Sequence, residues 1–154
     1  MDMPDLAPHS QPAATKKTPY SRDAERSVLG AIMMDNRCWD LIIDHGLSLD
    51  DFFLAAHRLI FKALMSLAVK NQPFDYTTLK DALDTTDDLQ EIGGEAFIYE
   101  IVNSTPTAAN VVSYAKIVRE KAILRQLIEA GTDIITSAYD TEDTDVKVIL
   151  DQTE

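Results

Sequence analysis

Pro106 opens the stretch that most constrains this chain. Between it and Glu154 there is no further proline, and the only glycine is Gly131. A proline in the first helical turn costs nothing, because that N–H has no partner in any case. Ile117, Leu124, Ile128 and Ile135 then recur at steps of 7, 4 and 7, and Val111, Val118 and Ile134 widen the stripe. The spacing predicts one helix from about Thr107 or Ala109 to Ala138, roughly 45 Å long at about 1.5 Å per residue. Gly131 weakens it by about 1 kcal/mol relative to alanine. A chain of 154 residues is one domain by its length and is too small to bury such a rod from end to end. Part of the stripe has to be covered by other protein.

The preceding text is also helical. Ser21 is a suitable N-cap for a helix that places Ala24, Val28, Ala31 and Ile32 on one face and ends at Asp35-Asn36. A short helix is expected over Cys38–Asp44, stopped at Gly46. Phe52 and Phe53 form a small aromatic anchor. In the segment from Leu54 to Lys70, Leu59, Ile60, Ala63, Leu64, Leu67 and Ala68 make an apolar stripe two residues wide, and Asn71-Gln72-Pro73 ends it. Asp75 or Thr77 caps a helix over about Thr78–Leu83. A single turn at Leu89–Ile92 and a helix over about Glu95–Asn103 follow. No strand signal and no internal repeat appear.

This gives an all-α organisation in three parts. Residues 1–19 hold four of the six prolines among polar and small residues, a composition that buries too little to repay its ordering entropy, so a disordered tail is expected. Residues 20–105 form a compact helical bundle. Residues 106–154 form a helical hairpin: after Asp140–Thr144, Val146, Ile149 and Leu150 open a second helix that the chain leaves incomplete.

Charge narrows the function classes. Lys plus Arg is 14 and Asp plus Glu is 26, for a net charge of −12. A domain whose main work is gripping nucleic acid needs a cationic surface instead, so strong direct DNA binding is not expected. The acids concentrate in residues 75–95, with seven acids and one base, and 129–154, with eight acids and one base. Lys116, Arg119, Lys121 and Arg125 form a basic stretch between them, a candidate surface for an oppositely charged partner or a second copy. No apolar run approaches the roughly 18 residues of a membrane span, and the N-terminus lacks the apolar core of a signal peptide. One cysteine, Cys38, excludes an internal disulfide. A cytoplasmic domain is expected.

Catalytic apparatus is not visible. Neither a phosphate loop nor a dinucleotide fingerprint occurs, and Gly93-Gly94 reads as a turn. His45 and His57 lie on different expected elements without metal-ligand spacing, so each reads as a satisfied surface or helix-end histidine. Cys38 lacks a positioned base and reads as a small hydrophobe. Phe52, Phe53, Phe61, Phe97, Tyr99 and Tyr114 read as core rather than as a base-stacking platform. A small hydrolase using His45, His57 and nearby aspartates is the enzymatic alternative. No catalytic, cofactor or metal residue is assigned.

Three stretches carry a resemblance: Asp23–Asp40 (DAERSVLGAIMMDNRCWD), Asp51–Phe61 (DFFLAAHRLIF) and Ile92–Arg125 (IGGEAFIYEIVNSTPTAANVVSYAKIVREKAILR). Their most specific pieces are SVLGAIMMDN (Ser27–Asn36) and STPTAANVVSYAKIVRE (Ser104–Glu120). In order and spacing they resemble the N-terminal domain of the bacterial replicative DNA helicase, the DnaB family, over about residues 19–154. The resemblance implies a helical bundle followed by a hairpin. Paired hairpins build a collar, a trimer of dimers, on a hexameric ring. It further implies docking of the primase C-terminal domain and of a helicase loader. ATP and magnesium then belong to a RecA-like domain absent from this chain. By position, Thr107–Tyr139 is the first hairpin helix and Asp143–Glu154 the start of the second. Ile117, Leu124, Ile128 and Ile135 become the hairpin and oligomer interface, and Lys116, Arg119 and Arg125 candidate partner contacts. The helicase-binding domain of a primase, related in fold, is the alternative; the local motifs favour the helicase.

Overall fold

A computed structural model describes residues 16–140 and 150–151. Among them the chain forms seven α-helices and one 3-10 turn, with no strand. The helices are α1 (Arg22–Met34), α2 (Cys38–Asp44), α3 (Ala55–Val69), α4 (Tyr76–Thr85), α5 (Leu89–Ile92), α6 (Glu95–Ser104) and α7 (Val111–Tyr139), and the 3-10 turn is Leu49–Asp51. The all-α expectation holds. The N-terminal tail before Lys16, and the second hairpin helix except Leu150 and Asp151, lie outside the described residues.

Two helices start on capping side chains of their own. The Ser21 side chain accepts the Ala24 amide at 3.1 Å and caps α1. At α4 the Asp75 carboxylate accepts the Thr78 amide at 2.9 Å, while the Thr78 hydroxyl oxygen accepts the Asp75 amide at 3.0 Å, a reciprocal capping box. This selects Asp75 over Thr77. Between α5 and α6 the chain takes positive φ twice, 108° at Gly93 and 80° at Gly94, the region where a side chain is strained.

The central element is α1. Val28, Leu29, Ala31 and Ile32 are fully buried, and the helix packs against α6, α7 and α3. Contact with the end of α6 is close enough to require a glycine. A Cβ on Gly30 would fall 1.8 Å from the Thr105 hydroxyl oxygen and 2.9 Å from the Ile101 carbonyl. The two most distinctive sequence pieces therefore touch each other. At the far side, Phe52 and Trp39 each pack on Phe61, with ring centroids 4.8 and 5.2 Å away, and Trp39 also meets Phe74 at 5.3 Å. Asn36 ties in the loop before α4: it donates to the Phe74 carbonyl and accepts the Phe74 amide, both at 2.9 Å.

Two expectations about the core need correction. Phe53 and Tyr99 are exposed, not core; each stacks on another aromatic ring at the surface, Phe53 on Tyr20 and Tyr99 on Tyr76. The bundle also does not end at residue 105. Val111, Ala115, Val118 and Ala122 of α7 are buried, so the long helix as far as Ala122 belongs to the core.

Candidate functional site

The feature without an internal explanation is the far part of α7. Its buried positions, Val111, Ala115, Val118 and Ala122, step by 4, 3 and 4. The same rhythm continues through Arg125, Glu129, Thr132 and Thr136, all polar. Past Ala122, therefore, the line of the helix that faced the bundle has nothing apolar to bury. Its apolar residues lie elsewhere. At about 100° per residue, Ile117, Leu124, Ile128 and Ile135 form one ridge about 130° to one side of the buried line. Ile123, Leu127 and Ile134 form a second ridge about 130° to the other side. These seven side chains are 40–63% exposed. The single widened stripe expected from sequence is thus three faces: Val111 and Val118 point into the bundle, and Ile134 stands on the second ridge.

Where burial stops, a polar clamp fastens the helix. Asp51, 1% exposed, closes the 3-10 turn as a cap: its Oδ2 accepts the Ser48 amide at 2.8 Å. Its Oδ1 accepts from Arg119 Nη1 at 2.9 Å. Further along α7, Arg125 donates to the Asp51 carbonyl at 2.7 Å and to the Pro19 carbonyl at 2.8 Å. Its guanidinium also lies over the Phe53 ring, 5.3 Å from the centroid, and Tyr20 stacks on that ring at 4.7 Å. The exposed Phe53 thus has a structural use. Of the three basic candidates for partner contacts, Lys116 stands exposed, and Arg119, though bound to Asp51, keeps 43% of its side chain exposed. Arg119 and Arg125 spend donors inside the chain, and reversing their charge would break the clamp before it reported on any partner.

Residues with chemical potential are placed quietly. His45 Nδ1 lies 2.8 Å from the Leu41 carbonyl at the end of α2, as a helix-end histidine would. His57 is not a surface residue. It is buried with Glu25, whose Oε1 lies 2.8 Å from His57 Nδ1. The same carboxylate accepts the Phe53 amide at 2.8 Å and the Leu54 amide at 3.3 Å. It therefore caps α3, whose own N-cap, Leu54, has no side chain able to do so. Burial pushes the Cys38 thiol up from its ordinary value, and the Asp35 carboxylate adds to this; Cys38 donates to the Ala108 carbonyl at 3.6 Å. Such a thiol is poorly disposed to act as a nucleophile. Among the described residues no group of three or more His, Cys, Asp or Glu side chains could hold a metal ion. No helix there is long and apolar enough to cross a membrane.

Sequence reasoning missed Glu25, Asp51 and the Gly30–Thr105 contact as structural centres. Glu25 reads as an ordinary first-turn acid of α1, and no local pattern says that it caps a helix 29 residues on. The signal available was indirect: a helix start at Leu54-Ala55 without a capping residue of its own.

Fold and surface together define a class: a helical bundle carrying a long helix whose far apolar residues are 40–63% exposed. The model of the DnaB-like helicase N-terminal domain matches residues 17–120. The replicative DNA helicase DnaB of Haemophilus influenzae is 44% identical over 136 residues, covering 88% of this chain and 29% of that protein. The DnaB of Geobacillus stearothermophilus is 39% identical over 140 residues, covering 88% and 30%. The crystal structure of the N-terminal domain of DnaB helicase from Mycobacterium tuberculosis superposes with a TM-score of 0.83 at 32% identity, over 89% of this chain and 96% of that one. A DnaB-like replicative helicase, whose structure was described with its interactions with primase, shares the fold with a TM-score of 0.68 at 23% identity, over 87% and 32%. The chain belongs to the DnaB-like helicase N-terminal domain family. It spans about 30% of the length of these DnaB relatives.

Proposed function

We propose that this chain is a non-catalytic assembly and docking domain of a hexameric replicative DNA helicase. It supports a collar built from three dimers and receives primase and the helicase loader in the cytoplasm. Nucleotide hydrolysis with ATP and magnesium is assigned to a separate RecA-like motor domain of the parent protein. Strong direct DNA binding is not assigned to this domain, whose charge of −12 disfavours it.

The observation that carries the reading is the rotation, about 130° either way, between the buried and the exposed apolar faces of α7. Covering a half-exposed Leu or Ile recovers about 1 kcal/mol. One ridge of three or four such residues gives roughly 3–4 kcal/mol, at or below the low end of the roughly 4–15 kcal/mol that association costs. A second copy that meets one ridge with its own equivalent ridge doubles this gain, because both partners contribute. Ile117, Leu124, Ile128 and Ile135 are the proposed hairpin and oligomer residues, and Lys116 the proposed rim contact.

Sedimentation velocity across concentration tests this. The chain is expected to shift from monomer towards dimer as concentration rises. A double Ile128→Lys, Ile135→Lys variant is expected to remain monomeric with unchanged helicity. Equal association by both proteins would refute the assignment. The docking part is tested by calorimetry with a primase C-terminal domain, where absence of heat would remove that partner.

A further inference from the structure

We infer that Asp51, Arg119, Arg125 and the chain just before α1 form a positioning device that sets the direction in which α7 leaves the bundle. Burial on α7 ends at Ala122, and Arg125 beyond it still holds the bundle through the Asp51 carbonyl. From there Gln126–Tyr139 project as a lever of about 21 Å, so about 10° of tilt at the clamp displaces the tip by about 4 Å. Two features mark the clamp as more than a surface ion pair. Its acceptors are fixed: Asp51 is buried and held by the Ser48 amide, and the two carbonyls that Arg125 grips belong to backbone. It also joins segments 106 and 74 residues away from Arg125 in sequence, so it is closed only when the chain before α1, the 3-10 turn and α7 are all in place.

The involvement of Pro19 gives the device a handle. Tyr20 stacks on Phe53, Phe53 lies under Arg125, and Arg125 holds the Pro19 carbonyl. A force or a partner acting on residues 16–20 therefore reaches the root of the lever directly. Arg is suited to this place because its planar fork donates to two acceptors at once while its face lies on a ring; Lys reproduces neither in full.

The direction of the lever is read by pulsed electron–electron spin distances between a label at position 44 on α2 and one at position 137 on α7, at a concentration where the chain is monomeric. The unaltered clamp is expected to give one narrow distribution. Arg125→Met is expected to broaden or shift it by several Å while far-UV circular dichroism stays unchanged. Arg125→Lys is expected to lie between the two. Starting the chain at Ser21 removes the Pro19 carbonyl and the Tyr20 ring but keeps the α1 cap, and is expected to reproduce the Arg125→Met distribution. Lys116→Met, on the same helix outside the clamp, is the control and should change nothing. Unchanged distributions in both Arg125→Met and the shortened chain would overturn the inference. It does not depend on the proposed assembly: loss of self-association with normal distances would count against that reading and leave the clamp intact.

Discussion

Two glycines in one chain show how burial sets the sign of a substitution. Both lie inside helices, where alanine is favoured by about 1 kcal/mol. At Gly30 the added methyl would overlap the Thr105 side chain and crowd the Ile101 carbonyl, and overpacking costs about 1–3 kcal/mol or more. A Cβ on Gly131 would meet nothing within 4 Å among the described residues. Gly30→Ala is therefore expected to lower the melting temperature and Gly131→Ala to raise it modestly, both by thermal denaturation monitored by circular dichroism. Glu25 presents the charged counterpart. Its removal leaves the Phe53 and Leu54 amides just before α3, and His57, without their acceptor, so Glu25→Ala is expected to cost about 3–5 kcal/mol in urea denaturation. At the surface, desolvation first, then hydrogen bonding to Glu95 and Tyr99, push the Tyr76 hydroxyl from 10.0 up to about 12. Between those two values the folded state holds a proton that the unfolded chain has released. This contribution is complete below about pH 10 and is lost as pH rises towards about 12, which a spectrophotometric tyrosine titration against stability will show.

Among the elements, short-range information was legible and long-range information was not. The bounds of α2, the Ser21 cap and the single turn at Leu89–Ile92 follow from capping chemistry and 3.6-residue periodicity, and the structure places them where the residues say. The long helix was legible as a length. Its division into faces was not, because residues at steps of 7, 4 and 7 define a line along a helix without saying which line meets the bundle. Val111 and Val118 look like members of the same stripe as Ile117, yet they are buried and it is exposed. The burial of His57 was likewise invisible, since its partner is 32 residues away. The exposed ridges carry a prediction about stability at this scale. Leu127→Gln, on a residue 63% exposed, is expected to leave the unfolding free energy of the monomer within about 0.5 kcal/mol of the parent in urea. A buried counterpart on the same helix, Val118→Ala, should cost more than about 1 kcal/mol.

At the scale of the molecule, the bundle is a self-sufficient core, and α7 extends from it with its remaining apolar surface turned away from that core. At its root, Arg119 and Arg125 join it to Asp51 in the 3-10 turn. The chain belongs to the DnaB-like helicase N-terminal domain family, and the proposed association rests on the exposed ridges of α7. The most direct test follows amide hydrogen exchange along α7 as a function of protein concentration. Amides in Ile123–Tyr139 are expected to exchange fast when dilute and to gain protection as concentration rises, while those in Val111–Ala122 stay protected throughout. Exchange in the far half that is already slow in dilute solution, or that does not respond to concentration, would contradict the claim that this face is made to be covered by a second copy.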